Sequence, residues 1–173
     1  IDKSEIESYQ SIRNIIDEYV QNKNFIKPVS FAVFGPPGSG KSFGLKEIIS
    51  QIPNVSKTDL TCNLSQYSNY SELTNIFPRI RDAGLTGNIP VVFFDEFDSN
   101  YENTPLGWLK FFLTPMQDGN FFSHEHYHPF GKVIFIFAGG KFESFEQFIN
   151  SQSYSEQKGP DFVPLYGDGK AAE

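Results

Sequence analysis

The 173-residue chain is poor in arginine, which occurs only at positions 13, 79 and 81, and it has one cysteine, one methionine and one tryptophan. A single thiol, Cys62, cannot close an internal disulfide. That excludes a disulfide-stapled scaffold and fits a reducing compartment such as the cytoplasm. No apolar run approaches the length that crosses a bilayer or forms the core of a secretion signal, so no membrane partner is expected. Basic charge is scarce: the net charge is -7. A broad grip on nucleic acid, which needs clustered Lys and Arg to displace counterions, is therefore disfavoured.

What the chain does have is apolar bulk, 39% hydrophobic residues with 19 phenylalanines, enough to bury one real core. Most Phe fall in apolar runs that look like buried strands, and Cys62 lies in such a stretch, where a small buried thiol is expected. Ser4 to about Val20 carries Ile6, Tyr9, Ile12, Ile15, Ile16, Tyr19 and Val20 at helical spacing. This predicts an amphipathic helix with Ser4 as its N-cap. After Pro28, Val29 to Phe34 reads as a buried strand entering a glycine-rich loop, and Lys41 to Ile52 as a helix stopped by Pro53. Leu60 to Leu64 is a second strand, and Ser71 to about Ala83 an amphipathic helix closed by Gly84 and Gly87. Val91-Val92-Phe93-Phe94, running into Asp95-Glu96, is apolar enough to be buried on both faces. A helix is expected over Pro105 to Met116, a turn at Asp118-Gly119, an apolar strand over Lys132 to Ala138 and a short helix over Glu143 to Ile149. Alternating strands and helices imply an α/β fold, a parallel sheet with helices on both faces. No internal repeat or low-complexity tract occurs.

Gly35-Pro36-Pro37-Gly38-Ser39-Gly40-Lys41-Ser42 has the Walker A spacing and lies between a predicted strand and a predicted helix, the context that separates it from a chance glycine-rich turn. Gly35, Gly38 and Gly40 let the backbone turn its N–H groups onto phosphates, aided by the helix N-terminus. Lys41 would neutralise the outer two phosphates and Ser42 would hold Mg2+. Pro36, Pro37, Ser39 and the following Phe43 complete the expected contact set for a nucleoside triphosphate, taken to be ATP.

Asp95 and Glu96 end a buried strand, and parallel sheets gather ligands at the carboxyl ends of their strands. Acids after a strand are commonly caps or solvated turn residues, but the upstream loop gives this pair a chemical reading. Asp95 is the expected Mg2+ acid, shared with Ser42, and Glu96 the residue that polarises attacking water, so the catalytic set is Lys41, Asp95 and Glu96. Asp98 extends the cluster. Two adjacent acids favour a hydrolase over a small-molecule kinase, which needs no adjacent glutamate to activate water.

The loop, the segment Val91 to Asp98 and the strand ending Phe137-Ala138-Gly139-Gly140 together resemble the ATPase core of the AAA family, over about Phe25 to Phe162. The resemblance implies a P-loop NTPase sheet in the order 5-1-4-3-2, with the 132–138 strand between the loop strand and the acidic strand. It also implies ATP rather than GTP, and no Asn-Lys-x-Asp guanine motif contradicts that. Hydrolysis coupled to remodelling of a protein partner, and a homo-oligomeric ring in the full-length protein, follow as expectations. Three departures stand out. Gly139-Gly140 occupies the place of the family's polar sensor residue, for which Lys141 or Ser144 could substitute. The three arginines all precede the acidic pair, whereas the family's finger and lid arginines come later, which predicts slow turnover by the isolated chain. The family's helical lid finds no counterpart, which divides the chain into a linker helix (1–28), an ATPase core (29–162) and an irregular tail (163–173) that stops short of it. The rival readings are a nucleotide-dependent interaction module with little turnover and a P-loop kinase acting on a small molecule.

His124, His126 and His128 alternate along an extended segment. Residues four apart on a strand are about 13 Å apart, too far for one ion. A loop or hairpin inserted before the 132–138 strand, anchored by Phe121 and Phe122, accounts for them better. Trp108, among Leu106, Leu109, Phe112 and Leu113, is expected in the core.

Overall fold

Period-two alternation assigns each strand's side chains to two different cores. In a computed structural model, which describes residues 3–36, 38–152 and 164–165, the strands β1 (Val29–Val33), β2 (Leu60–Asn63), β3 (Val91–Asp95) and β6 (Ile134–Ala138) form a parallel sheet in the order β2-β3-β6-β1. Phe31, Val91, Phe93, Ile134 and Ile136 point to one face, where they meet Ile12, Ile16, Leu45 and Ile49 from the helices α1 (Lys3–Gln21) and α2 (Lys41–Ser50). Ala32, Val92, Phe94, Phe135 and Phe137 point to the other, into a phenylalanine-dominated core with Phe77, Phe97, Phe112, Phe121 and Phe148. A parallel sheet covered on both faces needs nearly continuous apolar strands, and β6 satisfies that throughout and β3 up to its last residue, Asp95.

The second face is covered by α3 (Tyr70–Thr74), α4 (Ile76–Gly84), a 3-10 turn at Leu109–Phe112 with α5 (Leu113–Gln117), and α6 (Phe145–Gln152). Two expected helices are broken in the structure. The 71–83 helix divides at Asn75, and the 105–116 helix is a turn followed by the 3-10 segment and only then α5. Both breaks have the same cause. A proline ring opposes the carbonyl four residues earlier in a continuous α-helix, and Pro78 and Pro115 set that conflict at Thr74 and Phe111, so each helix restarts just beyond. The expected N-cap Ser4 lies inside α1, which begins at Lys3. Helix α1 is fixed to the sheet at its far end. Lys132 Nζ donates to the carbonyls of Tyr19 and Asn22 at 2.8 and 2.6 Å, satisfying groups a helix C-terminus leaves open.

Strands β4 (Asn120–Ser123) and β5 (His126–Pro129) form an antiparallel hairpin before β6. His124 and Glu125 make its two-residue turn with φ of 50° and 66°, both positive as a type I′ turn requires. Phe121 is buried and Phe122 exposed, so only Phe121 anchors the hairpin to the core. His128 stacks on Phe121, His124 sits in the turn beside Ser123, and no metal-holding group of three His, Cys, Asp or Glu occurs among the described residues. Trp108 is buried as a core residue. Pro164 and Leu165, in the segment read as irregular, form β7 and pair in parallel with Ala32 and Val33. The rest of the 163–173 segment, residues 153–162 of the expected core, and Pro37 lie outside the described residues. No described helix is long and apolar enough to cross a membrane.

Cys62 is buried on the Phe-rich side, and burial pushes its thiol above the usual range, ahead of smaller effects from Tyr67, Arg79 and Asp95. We predict that a thiol-specific reagent at neutral pH leaves the native chain unmodified and labels it once in denaturant. Labelling of native protein at the denatured rate would place Cys62 at the surface instead.

Candidate functional site

The carboxyl ends of β1, β2, β3 and β6 open on one cleft of about 260 Å³, lined by Gly38 to Phe43, Asn63, Asp95, Glu96, Ala138 and Gly139. Parallel register brings these residues together. Asp95 pairs with Asn63 on one side and with Ala138 on the other, and Val33, the last residue before the loop turns, pairs with Ala138.

The loop takes its shape from backbone that only glycine adopts cheaply. Gly38 and Gly40 both have φ of 76°, and Gly40 stands at the start of α2 in a left-handed conformation. Helix α2 then begins at Lys41. Its first-turn N–H groups have no carbonyl behind them in the helix and open on the cleft, a ready anion-binding arrangement. Lys41 Nζ reaches back over the loop and donates to the carbonyls of Gly35 at 2.8 Å and Pro36 at 3.1 Å. Ser42 Oγ donates to Asp95 Oδ1 at 3.5 Å. Phe43 lines the cleft mouth and is 71% exposed.

The charged groups sense one another. Partial burial pushes the Lys41 ammonium below its usual range, against the pull of Glu96, Asp98 and Asp95. Partial burial raises the Asp95 carboxyl, and Lys46, the Ser42 hydroxyl and Lys41 oppose that rise. Glu96 is raised by burial first and by Asp98 second. The cleft thus holds one cation against two half-buried carboxylates. Phosphates would meet these carboxylates as well as Lys41, and a divalent cation entering with them would offset the repulsion. Ser42 and Asp95 supply facing oxygen ligands of the hard kind Mg2+ prefers, and Mg2+ commonly takes only one or two protein groups and fills the rest with phosphate and water.

Of the sequence-derived set, Gly38, Ser39, Gly40, Lys41, Ser42, Phe43, Asp95 and Glu96 line the cleft; Gly35 and Pro36 form the base of the loop under Lys41; Pro37 is not among the described residues. The structure does not bring the two substitute sensors there. Lys141 is exposed with its ammonium over the Phe142 ring, and Ser144 Oγ accepts from Gln147 N–H at the start of α6. No arginine lines the cleft. Asp98, read as an extension of the acidic cluster, does act on Glu96 and Lys41 through its charge, but it is fully buried behind the cleft and accepts backbone N–H bonds from Gly140, Lys141 and Phe142. Asn63 was missed in the sequence. Its signal was positional, a polar residue ending a strand that pairs beside the acidic one. A larger apolar groove of about 440 Å³, between the end of α1 and the 24–28 link, lies at the amino end of β1 and away from this chemistry.

No protein-family model matches the chain, and no curated protein matches it.

Proposed function

We propose that the chain is an Mg-ATP-binding ATPase domain of AAA type that couples nucleotide binding and hydrolysis to remodelling of a protein partner. The observation that carries this reading is the opposition, across one cleft, of a glycine-rich loop with Lys41 and Ser42 to the Asp95-Glu96 pair. The strand order β2-β3-β6-β1, with β7 outside β1, supports the AAA branch because it puts the strand ending Ala138-Gly139 between the loop strand and the acidic strand. In this reading first-turn amides and Lys41 bind the phosphates, and Ser42 and Asp95 hold Mg2+, which would offset phosphate charge. Glu96 orients water toward the outer phosphorus and takes up its proton.

Calorimetry with Mg-ATP and with ATP in chelator tests binding, and phosphate release tests turnover. Saturable binding that weakens sharply in chelator is expected, since the cleft is acidic without the metal. Glu96→Gln should bind Mg-ATP as the wild type does and lose turnover by roughly a hundredfold or more, within the range that general-base groups contribute. Absence of any heat with adenine nucleotides and magnesium would sink the proposal. Equal turnover in the two proteins would remove Glu96 from it.

A second reading is favoured by Gly139-Gly140. Glycine carries no polar side chain to act as a sensor, and a Cβ at either position would crowd a carboxylate oxygen, of Asp98 at Gly139 and of Glu96 at Gly140, within 3.0 Å. A domain that binds nucleotide and switches partners with little turnover needs no such residue. Binding without measurable phosphate release would select that reading.

A further inference from the structure

Three consecutive N–H groups in the loop after β6 are held by one side chain. Asp98 is 0% exposed, and its carboxylate takes the N–H of Gly140 at 3.2 Å, of Lys141 at 2.8 Å and of Phe142 at 3.3 Å. Three donors on one anion form a strong clamp, because charge-assisted hydrogen bonds are about twice as strong as neutral ones. The clamp has a second contact. Gly140 backs onto Glu96 so closely that a Cβ there would stand 2.9 and 3.0 Å from the two Glu96 carboxylate oxygens. Glu96 itself has φ of 56°, a left-handed conformation uncommon for a residue with a side chain, which persists only where its surroundings fix it. Its carbonyl accepts from Ser99 N–H at 2.9 Å, closing the tight turn that carries Asp98 back under the loop.

Resting on the ATPase reading above, we propose that Asp98 is a positioning residue for Glu96. Its buried carboxylate clamps the 140–142 backbone, and the clamped Gly140 acts as a stop that sets the direction of the Glu96 carboxylate in the cleft. The two glycines are then required by space rather than by flexibility. Gly139 makes room for Asp98 and Phe97, which a Cβ would meet at 2.8 and 2.9 Å, and Gly140 makes room for Glu96. The position where a polar sensor is missing is occupied by the device that orients the water-activating acid. Both Asp98 oxygens accept from the loop, and Asp98 is not among the residues that line the cleft.

The test compares the full chain with Asp98→Asn, Gly140→Ala, Glu96→Gln and the double variant Gly140→Ala/Glu96→Gln. Amide exchange without nucleotide reports the clamp, calorimetry with Mg-ADP reports the binding cleft, and phosphate release gives kcat and KM. An asparagine presents an NH2 group to N–H donors, so Asp98→Asn should speed exchange at residues 140–142 about tenfold or more. Its kcat should fall roughly ten- to a hundredfold, the size of effect produced by a misplaced catalytic group. Mg-ADP affinity should stay within about threefold, because the loop of Lys41 is untouched. Gly140→Ala meets only the movable end of Glu96, so it should fold normally and lower kcat by a similar factor. In the Glu96→Gln background it should cost nothing further, since it acts through the same group. Unchanged exchange in Asp98→Asn, retained kcat in either single variant, or an equal penalty for Gly140→Ala in both backgrounds would overturn the proposal and leave the ATPase reading standing. Wild-type chain that binds Mg-ADP but never releases phosphate removes the hydrolase reading and this role of Asp98 with it. Should Asp98→Asn fail to fold, the Gly140→Ala pair decides alone.

Discussion

Mg-ATP affinity should fall by roughly a hundredfold or more when Lys41 is replaced by alanine, because two hydrogen bonds to charged oxygens, each contributing about 1.5–3 kcal/mol, are removed together. Under the proposed function the ammonium already stands where phosphates would arrive. It is tied to the carbonyls of Gly35 and Pro36 at 2.8 and 3.1 Å. On binding it exchanges two neutral acceptors for anionic ones, so the gain is specific to the liganded state. Adenosine offers no phosphate to that ammonium. Its affinity should therefore be weak and nearly the same for wild type and Lys41→Ala, and calorimetric titration of both proteins with Mg-ATP, Mg-ADP and adenosine separates the phosphate contribution from any base contact. An equal loss for adenosine would mean that the substitution damages the cleft as a whole. An unchanged Mg-ATP affinity would remove the loop from the binding site.

The shape of the loop could be read from its spacing because glycines at fixed intervals record a backbone geometry directly. Four of the five strands of the main sheet were legible for a related reason: burial on both faces leaves a run such as Val91 to Phe94 no polar position. What escaped were features decided between segments. Nothing local marks Glu96 as left-handed, since φ of 56° there follows from Asp98 having to turn back under the 140–142 loop. Asp98 looked like a third acid of the cleft because its partners, three backbone N–H groups, lie more than forty residues away in sequence. The helix breaks at Asn75 and before Leu113 were written locally, in Pro78 and Pro115, but apolar spacing continues across both and conceals them. The hairpin expected before the 132–138 strand is present, and its turn takes His124 out of the strand along which the three histidines alternate.

The largest loss of stability is expected at Phe137, where the Phe-rich core meets the site. Its ring is fully buried and lies 5.3 Å from Phe94, 4.9 Å from Phe112 and 5.9 Å from Phe97, measured between centroids. Truncation to alanine deletes this shared ring and leaves a cavity that a sheet held on both sides cannot close. The expected cost is about 3–5 kcal/mol, a large part of the 5–15 kcal/mol by which a domain is ordinarily stable. Phe137→Leu keeps most of the volume and should cost markedly less. Urea unfolding followed by tryptophan fluorescence measures both, through Trp108, which is buried in the same core. The midpoint should move while its slope stays constant, as it does when stability alone changes. The position also tests how the core governs the chemistry. Phe97 rests against Phe137 and sits between Glu96 and Asp98 in the chain, so a gap at Phe137 lets the turn that orients both acids relax. Phe137→Leu, still folded, should therefore lose turnover out of proportion to any change in Mg-ADP affinity, because the loop of Lys41 is anchored on α2 and the opposite face of the sheet. If binding and turnover instead declined together, the two faces would act as one unit and the Phe-rich core would have no separate hold on Glu96.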